Sequence, residues 1–233
     1  MVRGKTIASS ASRVSGIVKD PYLRVFIGAF PVNQQQPSKK YRVISAMNDK
    51  KTLYKVVSLE DENRIFKMQI VMLDMNKDHI EAQLTDQVNA SMETADSPYV
   101  ETLHEILQVG QRIMLIFRHG EETESLRNIM KANSAMNLND DACEYALFCV
   151  SKAIQAMHKC NFVVQNLQIR NVVRKGDDTL QLSNLTRCFD VDNGPASRCP
   201  KEEKTSVPPP EEIVEGKPGG KPSDIFALGV IAH

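Results

Sequence analysis

The sequence predicts an α+β fold, with a β-rich first part and a helical second part. Three observations lead there. Short β-branched and aromatic runs separated by polar turns fill residues 41–118 and enclose one segment of helical spacing. From about residue 120 the apolar spacing becomes that of helices. A polar loop, a hairpin and a second loop then follow the longest helix and lead into a proline-rich stretch.

Residues 1–37 contain Ser, Gln and Pro with one apolar patch, YLRVFIGAF, and read as a mostly flexible arm able to dock a short strand. YRVISAM, TLYKVVSL and RIFKMQIVML are strands, split by the turns NDKK and EDEN. KDHIEAQLTDQVNASMETA is a helix, with Ile80, Leu84, Val88 and Met92 on one face. VETLHEILQV and QRIMLIF are two more strands, joined at Gly110. SLRNIMKAN is a short helix. DDACEYALFCVSKAIQAMHKC is a long amphipathic one, with Asn139 or Asp140 as N-cap. A hairpin is expected at KGDD, followed by TLQLSNL. TSVPPPEEI cannot run through its prolines as helix or central strand. SDIFALGVIAH opens a last helix, capped by Ser223 or Asp224.

At 233 residues there is room for one large domain or two small lobes. Lys+Arg and Asp+Glu balance at 29 each, so charge favours neither a nucleic-acid nor a membrane-surface partner. No apolar run reaches membrane-spanning length, and the N-terminus has neither a secretory apolar core nor a glycine at position 2. The five cysteines are odd in number and lack CxxC spacing, which argues against a zinc site or a disulfide framework. Cysteine usage fits a reducing compartment: the cytoplasm is expected, and the nucleus is compatible. His79, His104 and His119 are scattered and read as surface or satisfied side chains, and KEEK reads as a solvated face. Ser197, Thr205 and Ser206 are candidate phosphosites of low prior.

Several motifs then fall in one order. SPYVETLHEIL is similar to an HPNIV segment that follows a helix. AIQAMHKCNFVVQNLQIRNVV aligns without gaps on LHxxxIVHRDLKPEN, and LQLSNLT falls on KLxDFG. PPEEIVEGKPGGKPSDIFALGVI is similar to an APE segment and the helix after it. In this order and spacing, residues 41–233 resemble the protein kinase family. Within it, QNLQIRN, SNL and GKPSD look most like the Tribbles and SHIK-type pseudokinases. The resemblance implies a two-lobed kinase-like domain over 38–233, with an N-lobe at about 38–118 and a partial C-lobe at about 119–233. It implies a C-lobe truncated within the family's αF helix.

The same resemblance implies a degenerate site. Kinases need a glycine-rich loop over the phosphates, and no glycine lies between Gly28 and Gly110. Gln69 matches the phosphate-holding strand lysine, and its glutamate partner falls on Val88, with Gln87 one step off. Lys67 is the alternative lysine. It shares a face with Gln69 by strand alternation and would crowd the adenine. The HRD aspartate becomes Asn166, which cannot take a proton, at a cost of roughly 10²–10⁴ in rate. The catalytic-loop lysine becomes Gln168, the DFG aspartate becomes Asn184 and the DFG glycine Thr186. Asn171 alone survives of the magnesium ligands, and Mg²⁺ prefers charged oxygens.

The matching structural positions are kept: Met92, Leu103, Val164 and Leu185 for the apolar stack between lobes, Glu211 for the APE glutamate, and Asp224 for the aspartate that holds the catalytic loop. A pseudokinase is therefore expected, a protein-binding scaffold without phosphotransfer, cofactor or metal, whose protein partner is unidentified. The alternatives are a weak, atypical ATP-dependent transferase using Lys67 and Asn171, and a truncated kinase-like product.

Overall fold

A computed structural model describes residues 26–28, 30–73, 78–120, 124–132, 140–165, 167–176, 178–192, 209–214 and 219–232. The first part holds β1 (Phe26–Ile27), β2 (Phe30–Asn33), β3 (Tyr41–Ala46), β4 (Leu53–Ser58) and β5 (Ile65–Met72). Helix α1 (Asp78–Glu93) comes next, then β6 (Leu103–Val109) and β7 (Arg112–Arg118). These strands form a seven-stranded sheet in the order β1-β2-β6-β7-β5-β4-β3. Its pairs are antiparallel except β2 with β6.

Part of the arm before residue 38 docks as short strands. Phe26–Ile27 and Phe30–Asn33 join the sheet, where the apolar patch meets the edge of β6: Val32 pairs with Ile106 and Asn33 with Leu107. The glycine-free β3–β4 turn is held instead by Asn48, whose Oδ1 accepts from the Thr52 and Leu53 amides at 3.0 and 3.1 Å. Strand alternation gives the sheet two apolar faces. One buries Leu84 and Val88 of α1 with Leu103, Ile106, Leu115 and Phe117. The other buries Tyr41, Val56, Phe66, Met68, Leu107 and Ile116.

The second part holds β8 (Glu124–Ser125), α2 (Leu126–Ala132), α3 (Asp140–Lys159), β9 (Phe162–Val163), β10 (Val172–Arg174), β11 (Leu180–Leu182), β12 (Phe189–Asp190), α4 (Pro210–Val214) and α5 (Lys221–Ala232). Helix α3 is its axis. It buries Ala146, Cys149, Val150, Ala153, Ile154 and Met157 at 3.6-residue spacing against β11 and the loops around it. The last helix starts two residues before the expected Ser223 or Asp224 cap. Pro222 suits a first turn, and the Ser223 amide already donates to Gly220 O at 2.9 Å. The expected cap Asn139 lies outside the described residues, as do Cys199, KEEK, Ser197, Thr205 and Ser206.

Leu185 is 2% exposed within the α3 core. Leu185→Ala should therefore destabilise by about 2–5 kcal/mol in denaturant unfolding. A loss below about 0.5 kcal/mol would be that of a surface side chain.

Candidate functional site

The cleft lies where β5 meets the 97–101 segment and the end of β11. Lys67 and Gln69 are two apart on β5, so both side chains leave one face of the strand. Lys67 is 5% exposed. Its ammonium forms a salt bridge with Glu101, donates to Ser183 Oγ at 3.0 Å and lies 4.7 Å from the Phe117 ring centroid. Ser183 Oγ in turn donates to Glu101 Oε2 at 3.0 Å, and the Asn184 amide approaches the same oxygen at 3.4 Å.

The backbone fixes Glu101 in place. Its amide donates to Leu182 O at 2.9 Å, the Leu182 amide donates to Tyr99 O at 2.8 Å, and Val100 bridges Leu182 in parallel. A buried ammonium is tolerable only with such pairing, since desolvating an ion costs several kcal/mol before compensation.

Several neutral polar contacts flank this charged centre. Gln87 Nε2 donates to Gln69 Oε1 at 3.0 Å. The expected partner Val88 is corrected to Gln87: one helical step of about 100° turns Val88 into the apolar cluster under the sheet, at 1% exposure. Asn184 Nδ2 donates to Asn171 Oδ1 at 3.2 Å, and Thr186 Oγ1 donates to Asn184 Oδ1 at 2.9 Å. Asn184 takes φ 64°, a left-handed conformation that asparagine tolerates better than most residues. Gln83 of α1 donates to the Thr186 carbonyl. Gln168 O accepts the Asn171 amide at 2.8 Å, and Asn171 O accepts the Ser183 amide at 2.7 Å. The two loops are thus clasped through backbone. Asn166 lies outside the described residues.

Beneath the loops, Asp224 of α5 is 1% exposed and accepts the Val164 and Gln165 amides at 2.8 and 3.0 Å. The same carboxylate meets His158 Nε2 at 2.8 Å. Glu211 accepts the Ser223 hydroxyl, and that hydrogen bond holds its carboxyl below the usual range. The four expected stack positions divide between two clusters. Met92 and Leu103 pack under the sheet, whereas Val164 and Leu185 pack against α3. Buried Ser91 donates its hydroxyl to Glu101 O at 2.8 Å and accepts the Leu103 amide at 2.9 Å.

Glu101, Ser183, Ser91 and Gln83 were not expected from sequence. Glu101 carried one usable signal: aligned on HPNIV, it puts a carboxylate where the motif ends in valine. The three neutral side chains carried none. Among the described residues no group of His, Cys, Asp and Glu could hold a metal ion. No helix described is long and apolar enough to cross a membrane.

His119 follows β7, and burial pushes its imidazole down to about 4. A folded pKa below the unfolded value of about 6.5 means that the unfolded chain binds the proton first. Its contribution is complete above about pH 6.5 and is lost as pH falls toward 4. The loss from this group is at most about 3 kcal/mol. Unfolding midpoints measured over that window should fall with pH, and more shallowly in His119→Gln. An unchanged slope in the variant would remove His119 from the acid limb.

Residues 50–233 match the family model of the protein kinase domain. Comparison with curated proteins finds no match. The matched span runs from the β3–β4 turn through α5, over a β-rich lobe with one helix followed by a helical lobe. The chain belongs to the protein kinase domain family and has its α+β fold.

Proposed function

We propose that this kinase domain is a pseudokinase of the Tribbles type, a catalytically inactive scaffold that acts by binding other proteins in the cytoplasm or nucleus. The observation that carries the reading is the capture of Lys67 by Glu101 and Ser183, beside the neutral Gln69–Gln87 contact. A kinase needs a strand lysine paired to a helix glutamate, with its end free for phosphate, and a charged metal ligand in the DFG position. Gln69, Gln87, Gln168 and Asn184 supply amides at those places, and Lys67 is already neutralised. These residues do not fit a magnesium–nucleotide. Amides can hydrogen-bond phosphate oxygens, but they cannot offset the charge of a polyphosphate or of Mg²⁺.

A weak transferase built on Lys67 and Asn171 is the second reading. It requires Lys67 to leave Glu101 unpaired in a dry site, a step that costs several kcal/mol.

Each missing charge-assisted contact removes roughly 1.5–3 kcal/mol, and three of them carry a micromolar site past millimolar. No Mg-ATP binding is therefore expected by calorimetry at concentrations on the order of 1 mM, either for the natural chain or for Gln69→Lys. Lys67→Ala alone would strand Glu101. The smallest restoring set is therefore Lys67→Ala and Glu101→Val with Gln69→Lys, Gln87→Glu and Asn184→Asp. Phosphate transfer by the natural chain that disappears in Asn171→Ala would refute inactivity.

A further inference from the structure

The ion pair of Lys67 also bears on how the two lobes are joined. Lys67 lies on β5, between β7 and β4 in the first sheet. Both of its polar partners are bonded to the second lobe. Ser183 directly follows β11, 116 residues away in sequence. Glu101 is bonded through its own amide to Leu182 of β11, and Ser183 and Asn184 both reach its carboxylate. The ammonium thus meets Ser183 of the second lobe and Glu101, whose backbone bonds both to Ser91 of α1 in the first lobe and to Leu182 of β11 in the second. The Gln69–Gln87 contact is different in kind, because it is neutral and joins β5 to α1 within the first lobe.

We infer that Lys67, Glu101 and Ser183 form an inter-lobe lock that makes the two lobes open and unfold as one unit. The side chains of Lys67 and Glu101 are 6% and 4% exposed, and Phe117 covers the ammonium. Sliding or parting the lobes would pull Ser183, the Asn184 amide and the Leu182 carbonyl from a desolvated ion pair before water could replace them. A buried pair resists that motion far more than a surface pair, which water and salt replace at little cost. Cleft opening, the usual freedom between kinase lobes, is thereby tied to disrupting the hydrogen bonds of a buried ion pair. The lock concerns lobe arrangement and is read without a phosphotransfer assay.

Hydrogen exchange of the full chain against denaturant tests it, comparing the segments 65–72 and 180–186. In the unmodified chain both should share one opening equilibrium. Lys67→Met with Glu101→Leu keeps the volume and leaves no stranded charge, so this double variant should fold. In it the protection of the two segments should separate by at least tenfold. Lys67→Met alone should raise the unfolding equilibrium constant more than a hundredfold, and more than the double variant does, because Glu101 is left buried and unpaired. If the single variant fails to fold, the double variant still decides. Segments that open separately in the unmodified chain, or that stay coupled in the double variant, would overturn the lock. So would a single variant no less stable than the double.

Discussion

A charge taken out of water must be answered by an opposite charge, and that constraint organises the cleft of this domain. Lys67 puts an ammonium in the middle of β5, facing inward. Glu101 answers it from a segment clamped to β11, Ser183 completes the hydrogen bonds, and Phe117 closes the open side. The neighbouring polar groups are then free to be neutral. Gln69 with Gln87 and Asn171 with Asn184 satisfy one another as amides.

The fold does not depend on the groups that would do chemistry. Asp224 holds the loop backbone at Val164 and Gln165 whatever side chains that loop carries. Ser183 and Asn171 join their loops through main-chain atoms. Helix α3 supplies apolar area to the second lobe, and α1 supplies it beneath the sheet. On the proposed reading, a kinase framework persists while the residues at its phosphate and metal positions are amides. Specificity for one lobe arrangement then falls to the buried pair, where breaking a partner costs far more than the pair itself contributes.

Much of this was legible in the sequence where the signal is periodic. The strands around Val56, Phe66 and Ile116 and the helix around Ile154 follow from alternation and 3.6-residue spacing. The pairing of Gln69 was legible only to within one residue. Gapless counting back from SPYV reaches Val88, and only the helix phase chooses Gln87. The single apolar stack was less legible still, since Met92 and Leu103 join the cluster under the sheet while Val164 and Leu185 join the one around α3, a division that depends on long-range packing. The apolar patch around Phe30–Asn33 was legible as a short docking strand, but its partner β6 was not, because that pairing is a long-range event that local composition does not report. Glu101 and Ser183 were missed for the same reason: they lie 34 and 116 residues from Lys67 in the chain.

The central claim is that the cleft is satisfied internally, with Lys67 answering to Glu101 and not to a nucleotide. A crystal structure of the unmodified chain grown with saturating Mg-ADP addresses it most directly. The expected result is a Lys67 ammonium still bonded to Glu101 and Ser183, with no nucleotide between the lobes. A bound nucleotide whose phosphates take the Lys67 ammonium from Glu101 would contradict the claim.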